Sequence, residues 1–293
     1  MKPVRLITAE VGGGHDLTAR LIAQGLATSL GQQFIVENRS GAAIAGEYVA
    51  RAAPDGYTLM IWGSSLWLTP FMRSNVPYDP IRDFAPIGVE VNAPILIVVH
   101  PSLPVKTVRE LIALAKAKPG ALDYGSGQVG ASSHLASELF KRMAGIDMLR
   151  IPFRGNGPAV NALIAGQVQL MFPTAGSVAS HLKSGRVRAL AITSAKPSPL
   201  FPNLPTVASA GLPGYECDSM IGAFAPAKVP PAIINRLSRE MAIAVNKPEI
   251  KQRFAALGVE TIGSSPEALA AAVKSEMTRL GKLIRDAGIR EDR

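Results

Sequence analysis

The stretch Leu122–His134, LDYGSGQVGASSH, constrains this chain more than any other. A short apolar run enters glycines and small hydroxyls, and a helical pattern begins at once. The first N–H groups of a helix have no acceptor inside it, and the helix dipole adds roughly half a positive charge there. Such a turn is suited to seating an anion. Gly125, Gly127 and Gly130 carry no Cβ, so the backbone can approach a ligand closely.

The same pattern occurs near the start of the chain, where residues 4–16 read VRLITAEVGGGHD. Each loop carries a histidine near its helix start, His15 and His134. Each helix has an apolar stripe, with Leu17, Leu21, Leu26 and Leu30 in the first and Leu135, Leu139 and Met143 in the second. Gly31 and Gly145 suit a left-handed C-cap. Strands over 33–37 and 148–153 follow, each ending in a polar turn, Asn38-Arg39-Ser40-Gly41-Ala42 and Arg154-Gly155-Asn156-Gly157-Pro158-Ala159. A helix and a strand then follow in both places, the strands at 58–62 and 168–172. The order strand, helix, strand, helix, strand therefore occurs twice. It predicts two similar α/β units whose loops gather at the C-terminal ends of their strands, where open parallel sheets bind ligands.

Between and after these units the punctuation is proline. Pro70, Pro77, Pro80 and Pro86 predict an irregular, non-helical stretch, and a strand over 95–100 is expected to close the first unit. The second unit is expected to open with a helix over 108–117 and to include a helix through His181 and a strand over 187–193. The segment Pro197–Pro213 reads as a rigid loop, and a strand over 217–224 as the return to the first unit. Three helices starting at Pro231, Pro248 and Pro266 finish the chain, each with proline where its missing N–H costs nothing. Ser265 is a good N-cap for the last. The partition expected is 1–101 plus 222–293 for one domain and 102–221 for the other.

Composition narrows the functions. With 293 residues, 47% hydrophobic and 18% charged, the chain can bury two cores. The formal charge of +9 comes from dispersed Lys and Arg, and aromatic residues are only 5%. Nucleic-acid binding needs a concentrated basic patch, so the charge is read as a field favouring anionic ligands. The single cysteine, Cys217, excludes an intrachain disulfide and a cysteine-based metal site. Apolar runs such as Pro94–Val99 are far shorter than the roughly 20 residues of a membrane span.

Catalytic motifs are weak. Gly125-Ser126-Gly127-Gln128-Val129-Gly130 has the GxGxxG spacing, and Asp147 lies 22 residues beyond Gly125. The dinucleotide fingerprint belongs at the first strand of its unit, however, and here a helix precedes it. The GxSxG, HExxH and P-loop patterns do not occur. His134 and Glu138 share a helix face, which is too few ligands for a metal. Asp16 reads as a helix-start acid or a hydrogen-bond acceptor for a ligand. Asn38, Arg39 and Arg154 sit on turns expected to face the cleft. Trp62, Trp67, Phe153 and Phe172 are expected in the core, Trp67 with some claim on a pocket wall. No cofactor and no metal are expected.

Over nearly its whole length the sequence resembles the Bug or TctC-type periplasmic solute-binding proteins of tripartite tricarboxylate transport systems. The segments that carry the resemblance are GGGHD from Gly12, VENRSGA from Val36, APDGYTL from Ala53, VPYDPIRDFAPI from Val76, HPSLPVKTV from His100, YGSGQVGASSHLA from Tyr124, PFRGNGPA from Pro152, RALAITS from Arg188 and LPTVASAGLPG from Leu204. The resemblance implies an α/β, two-domain periplasmic-binding-protein fold of type II, a Venus flytrap with two crossing strands. It implies capture of a small carboxylate between the domains and delivery to membrane transporter subunits, without chemistry, by a monomer. The leader such a periplasmic protein needs is not seen before Val4 and is expected to have been trimmed.

The ligand-binding residues implied lie on four loops: Val11, Gly12, Gly13, His15 and Asp16; Gly63, Ser64 and Ser65; Ser126, Gly127, Gly130, Ala131, Ser132 and Ser133; and Phe153, Arg154 and Gly155. Pro173 and Thr174 join them at the end of the 168–172 strand. Two positions depart from the family pattern. Glu10-Val11 replaces a proline, and Pro173-Thr174 replaces an Asp-Asn-like pair that would accept from a ligand amine. The expected ligand is therefore a non-amino mono- or dicarboxylate with an apolar or aromatic body. A sensor of the same shape, or a small-acid enzyme using the cleft, are the alternatives.

Overall fold

The computed structural model describes residues 2–9, 11 and 14–290. The first stretch forms β1 (Val4–Thr8), α1 (Gly14–Leu30), β2 (Phe34–Asn38), α2 (Ala42–Ala50), β3 (Thr58–Gly63), α3 (Ser65–Met72) and β4 (Phe84–Asn92). The middle forms β5 (Leu96–Val99), α4 (Val108–Ala117), β6 (Asp123–Ser126), α5 (Ser132–Ala144), β7 (Leu149–Pro152), α6 (Asn156–Ile164), β8 (Leu170–Met171), α7 (Ala175–Lys183) and β9 (Arg188–Ile192). The last stretch forms β10 (Met220–Pro226), α8 (Pro231–Val245), α9 (Pro248–Ala256), β11 (Glu260–Thr261) and α10 (Pro266–Asp286).

The duplication read from the sequence is a duplication of topology. One sheet runs β11-β4-β10-β3-β1-β2 and the other β7-β6-β8-β5-β9. In each, a parallel triplet, β2-β1-β3 or β7-β6-β8, is followed by an antiparallel neighbour, β10 or β5. That neighbour is the first strand the chain lays down after crossing from the other lobe. The two lobes thus exchange strands, and the crossings run beside each other: Ala93 donates its N–H to Ser219 O at 3.0 Å and Cys217 donates to Thr193 O at 3.0 Å.

Local signals hold at several helix ends. Gly31 (φ 59°) and Gly145 (φ 61°) take the left-handed conformation that stops α1 and α5. The Thr107 hydroxyl accepts from Glu110 N at 3.1 Å at the start of α4, and Ser265 accepts from Ala268 N at 3.3 Å at the start of α10.

Three expectations need correction. The strand near residues 95–100 was expected to close the first unit. Instead Leu96–Val99 pairs with β8 and β9 in the second sheet, so the first crossing falls just after Asn92. The return strand begins at Met220, and Cys217–Ser219 is crossing segment. The stretch marked by Pro70, Pro77, Pro80 and Pro86 was expected to be irregular, yet it overlaps a helix and a nine-residue strand. Pro70 sits inside α3, where it cannot bond the Leu66 carbonyl four residues back. The Tyr78 hydroxyl donates to that carbonyl at 2.8 Å and replaces the lost bond. Pro86 is tolerated because β11 reaches only Val91 and Asn92, leaving the start of β4 with one neighbour.

Candidate functional site

The C-terminal ends of β1, β3 and β6 face one another across the cleft. Two adjoining chambers lie there, of about 280 and 240 Å³, and His15, Ser65, Gly130 and Ala131 line both. The larger chamber extends to Trp62, Thr69, Met72 and Arg73 on the first lobe and to Gln128 and Val129 on the second. The smaller is closed by Gly63, Ser64 and Ser132 and by the crossing residues Cys217, Asp218 and Ser219.

The first lobe's wall is set by close contacts. The His15 ring leans on Trp62, with centroids 5.8 Å apart and an interplanar angle of 34°. Trp62 Nε1 donates to Ser65 Oγ at 2.9 Å. A Cβ on Gly63 would stand 2.7 Å from His15 Nε2 and 3.1 Å from the Met220 carbonyl, so a side chain there would displace that ring. Across the cleft Gly130 adopts φ 76°, and a Cβ there would stand 2.6 Å from Met72 Sδ. The lobes touch at this point.

The second lobe's loop is braced from beneath. Gly127 N–H donates to Ser133 Oγ at 3.0 Å, and Gly130 N–H donates to His134 Nδ1 at 3.1 Å. Arg150 donates from Nε to Ser126 Oγ (2.8 Å) and from Nη2 to the Gly127 carbonyl (2.9 Å). The His134 ring is therefore protonated on Nε2 when neutral. Burial, then the charge of Arg150, pushes its pKa down to about 4. These contacts correct the picture of glycine amides aimed at an anion, because the amides of Gly127 and Gly130 are already bonded within the loop. The N–H groups of Ser132 and Ser133, which open α5, have no acceptor among the described residues, as expected of a helix's first turn.

The sequence-derived residues thus divide. His15, Gly63, Ser64, Ser65, Gly130, Ala131 and Ser132 line the chambers. Ser126, Gly127 and Ser133 brace them. Asp16, expected as a ligand acceptor, lines neither chamber: Arg20 holds it with two contacts at 3.0 Å, and Asn38 Nδ2 donates to it at 2.8 Å. Val11 is 74% exposed and lines neither chamber. Phe153 and Arg154 border a separate groove behind the Gln128–Val129 loop, and Gly155 is the N-cap of α6. The Pro173 carbonyl accepts from Leu96 N at 2.9 Å, and Thr174 Oγ1 accepts from Asn156 Nδ2 at 3.3 Å. Gly12 and Gly13 lie outside the described residues.

Asn38 and Arg39 also turn away from the cleft. Asn38 bonds Asp16 and the Ala9 carbonyl, and the Arg39 guanidinium lies 3.7 Å over the Tyr48 ring. Trp67 is wholly buried and Trp62 lines the larger chamber, the reverse of the sequence preference between the two tryptophans. Sequence reasoning missed Ala42, Ala43, Thr69, Met72 and Arg73. The polar turn ending at Ala42 carried a signal, whereas α3 carried none because its proline argued against a helix.

Behind the smaller chamber is a group of buried acids. Glu276 is 2% exposed and accepts from Trp67 Nε1 at 2.9 Å. Burial pushes its carboxyl up to about 7, against the lowering effect of the hydrogen bonds from Trp67 and Ser64. Burial likewise lifts Asp218 to about 6, and Asn92 Nδ2 donates to it at 3.4 Å.

Two α/β lobes that exchange strands through paired crossings, with chambers enclosed between them, define a clamshell solute-binding protein. Residues 18–289 match the family described as "Tripartite tricarboxylate transporter family receptor". The protein BugT of Bordetella pertussis is 33% identical over 292 residues, covering 98% of this chain and 90% of BugT. An R. palustris protein solved with adipate is 36% identical, with a TM-score of 0.82 over 98% of both chains. MatC of Rhodopseudomonas palustris, solved with bound malate, is 29% identical, with a TM-score of 0.78 over 96% of this chain and 98% of its own. The chain belongs to the tripartite tricarboxylate transporter receptor family, and with its Bug-type relatives it is a solute-binding protein rather than an enzyme. Among the described residues no helix is long and apolar enough to cross a membrane.

Proposed function

We propose that this protein captures a small carboxylate in the two-chambered cleft and presents it, in the periplasm, to the membrane subunits of a tripartite tricarboxylate-type transporter. The observation that carries the reading is the shared wall of the two chambers, where His15 and Ser65 of one lobe meet Gly130, Ala131 and the opening amides of α5 from the other. A ligand carboxylate at that throat meets N–H and O–H donors from both lobes, so binding favours closure. Trp62, Met72 and Val129 give the larger chamber an apolar wall. This supports a ligand with a hydrocarbon body, as in the adipate held by the R. palustris relative. The partition of the chain into two domains hinged near residues 93 and 219, and action as a monomer, belong to the same reading.

A thermal-shift screen of aliphatic and aromatic carboxylates tests it. A binder at 100 times its dissociation constant should add about 2.7 kcal/mol of stability. Isothermal titration should then rank plain carboxylates such as adipate and malate above glutamate and aspartate. Tighter binding of the amino acids would overturn the ligand class. Turnover of the bound acid would overturn the function.

A further inference from the structure

The larger chamber has a second polar end, away from the throat. Ser65 lines both chambers, whereas Gly41, Ala42, Ala43 and Thr69 line the larger one alone. Thr69 is 2% exposed, yet its hydroxyl has no hydrogen-bond partner among the described residues. A helical threonine ordinarily turns its hydroxyl onto the carbonyl four residues back, as Thr18, Thr28 and Thr278 do here. Thr69 does not, and a buried hydroxyl left unpaired costs stability unless something fills the chamber and bonds it.

The same end of the chamber meets the start of α2. That helix opens at Gly41 (φ 85°), which has no side chain to cap it. The N–H groups of Ala42 and Ala43 have no acceptor among the described residues, and Ala45 N–H makes the first bond, to the Gly41 carbonyl at 3.1 Å. Their partial positive charge is that of any helix start. Arg73 brings a full positive charge to the same chamber. The spacing comes from α3, where Ser65 and Thr69 lie four residues apart on one face, about 6 Å along the axis. Ser65 Oγ accepts from Trp62 Nε1, which leaves its own proton to donate at the throat.

We propose that the α2 end of the larger chamber is a second anion seat, in which the Thr69 hydroxyl and the opening amides of α2 hold the far carboxylate of a straight-chain diacid whose near carboxylate sits at the throat. Trp62 and Met72 give the hydrocarbon chain its apolar walls. The spacing of the two hydroxyls selects diacids of roughly five or six carbons. A monocarboxylate of the same length puts a methyl group against Thr69 and the α2 amides. It removes water from those donors without pairing them, and a site built to bond a polar group rejects the analogue that lacks it.

The inference rests on the cleft binding a carboxylate, and the test separates the two. Glutarate and adipate are titrated calorimetrically beside valerate and hexanoate, the monocarboxylates of equal length. Each diacid should bind at least tenfold tighter than its monoacid. Thr69→Val keeps the side chain's shape and removes the hydroxyl. It should weaken the diacids about tenfold, leave the monoacids unchanged, and leave the melting temperature of the ligand-free protein the same or higher. Thr69→Ser should keep the preference for diacids. The Ala42 and Ala43 amide resonances should shift with adipate and not with hexanoate. The protein's net positive charge favours a dianion wherever it binds, but that general attraction does not respond to Thr69→Val. Equal affinity for diacids and monoacids, a Thr69→Val effect that is absent or the same for both, or equal amide shifts with both acids overturns the second seat and leaves the function standing. No binding of any of the four acids overturns both.

Discussion

At the scale of single residues, buried acids set the response to pH. Burial lifts Glu90 from 4.5 to about 8, so the folded protein holds that proton up to about pH 8 while the unfolded chain releases it above 4.5. The unfolded state then binds fewer protons, and stability falls as pH rises through this window. Glu276 and Asp218 act in the same direction at about 7 and about 6. His134, lowered to about 4 from 6.5, acts oppositely, but only below 6.5. Denaturant midpoints measured between pH 6.5 and 8 should therefore decline with pH, and Glu90→Gln should flatten the decline. A midpoint that rises over that interval in the wild type would refute the assignment. Gly63 is a second residue-scale case. Gly63→Ala would push on the His15 ring at 2.7 Å and on the Met220 carbonyl, so carboxylate affinity should fall at least tenfold, read by calorimetry, while the circular dichroism spectrum stays the same.

At the scale of elements, α3 shows how a proline is accommodated. The Leu66 carbonyl loses its helical donor at Pro70, and the Tyr78 hydroxyl replaces it. Tyr78→Phe leaves that buried carbonyl unpaired and should cost about 1–3 kcal/mol in chemical denaturation. A smaller loss would mean that the carbonyl finds another donor. The same helix carries Met72 to the larger chamber, so a folding device and a cleft wall share one element. This is why α3 was the least legible part of the chain. Four prolines within residues 70–86 argued against regular structure, and the compensating tyrosine comes from outside the helix. By contrast α4, α8 and the start of α10 were legible to the residue, since their caps and first-turn prolines act locally.

At the scale of the molecule, the lobes meet at several places besides the crossings, the ion pair of Arg142 on α5 with Asp286 on α10 at 2.7 Å among them, and two of these places are set by glycines. One is the contact of Met72 with Gly130. The other lies near the hinge, where a Cβ on Gly176 of α7 would stand 2.2 Å from the Leu257 carbonyl at the end of α9, and one on Gly258 would stand 2.9 Å from Gly176 N. Gly176→Ala should wedge α7 from α9 and shift the population away from this lobe arrangement. Small-angle scattering should show an altered radius of gyration, and carboxylate affinity should change although residue 176 lines neither chamber. An unchanged scattering curve and affinity would show that the contact is slack.

The sequence by itself determined the duplicated strand-helix order and the family, because each of these is written in short-range pattern: apolar periodicity, glycine spacing and helix caps. Tertiary structure alone decided which lobe takes β5, that Asn38 donates to Asp16, and that Trp67 donates to Glu276. These depend on groups far apart in the chain, and burial or a shared hydrogen bond assigns their roles only after the lobes have folded together.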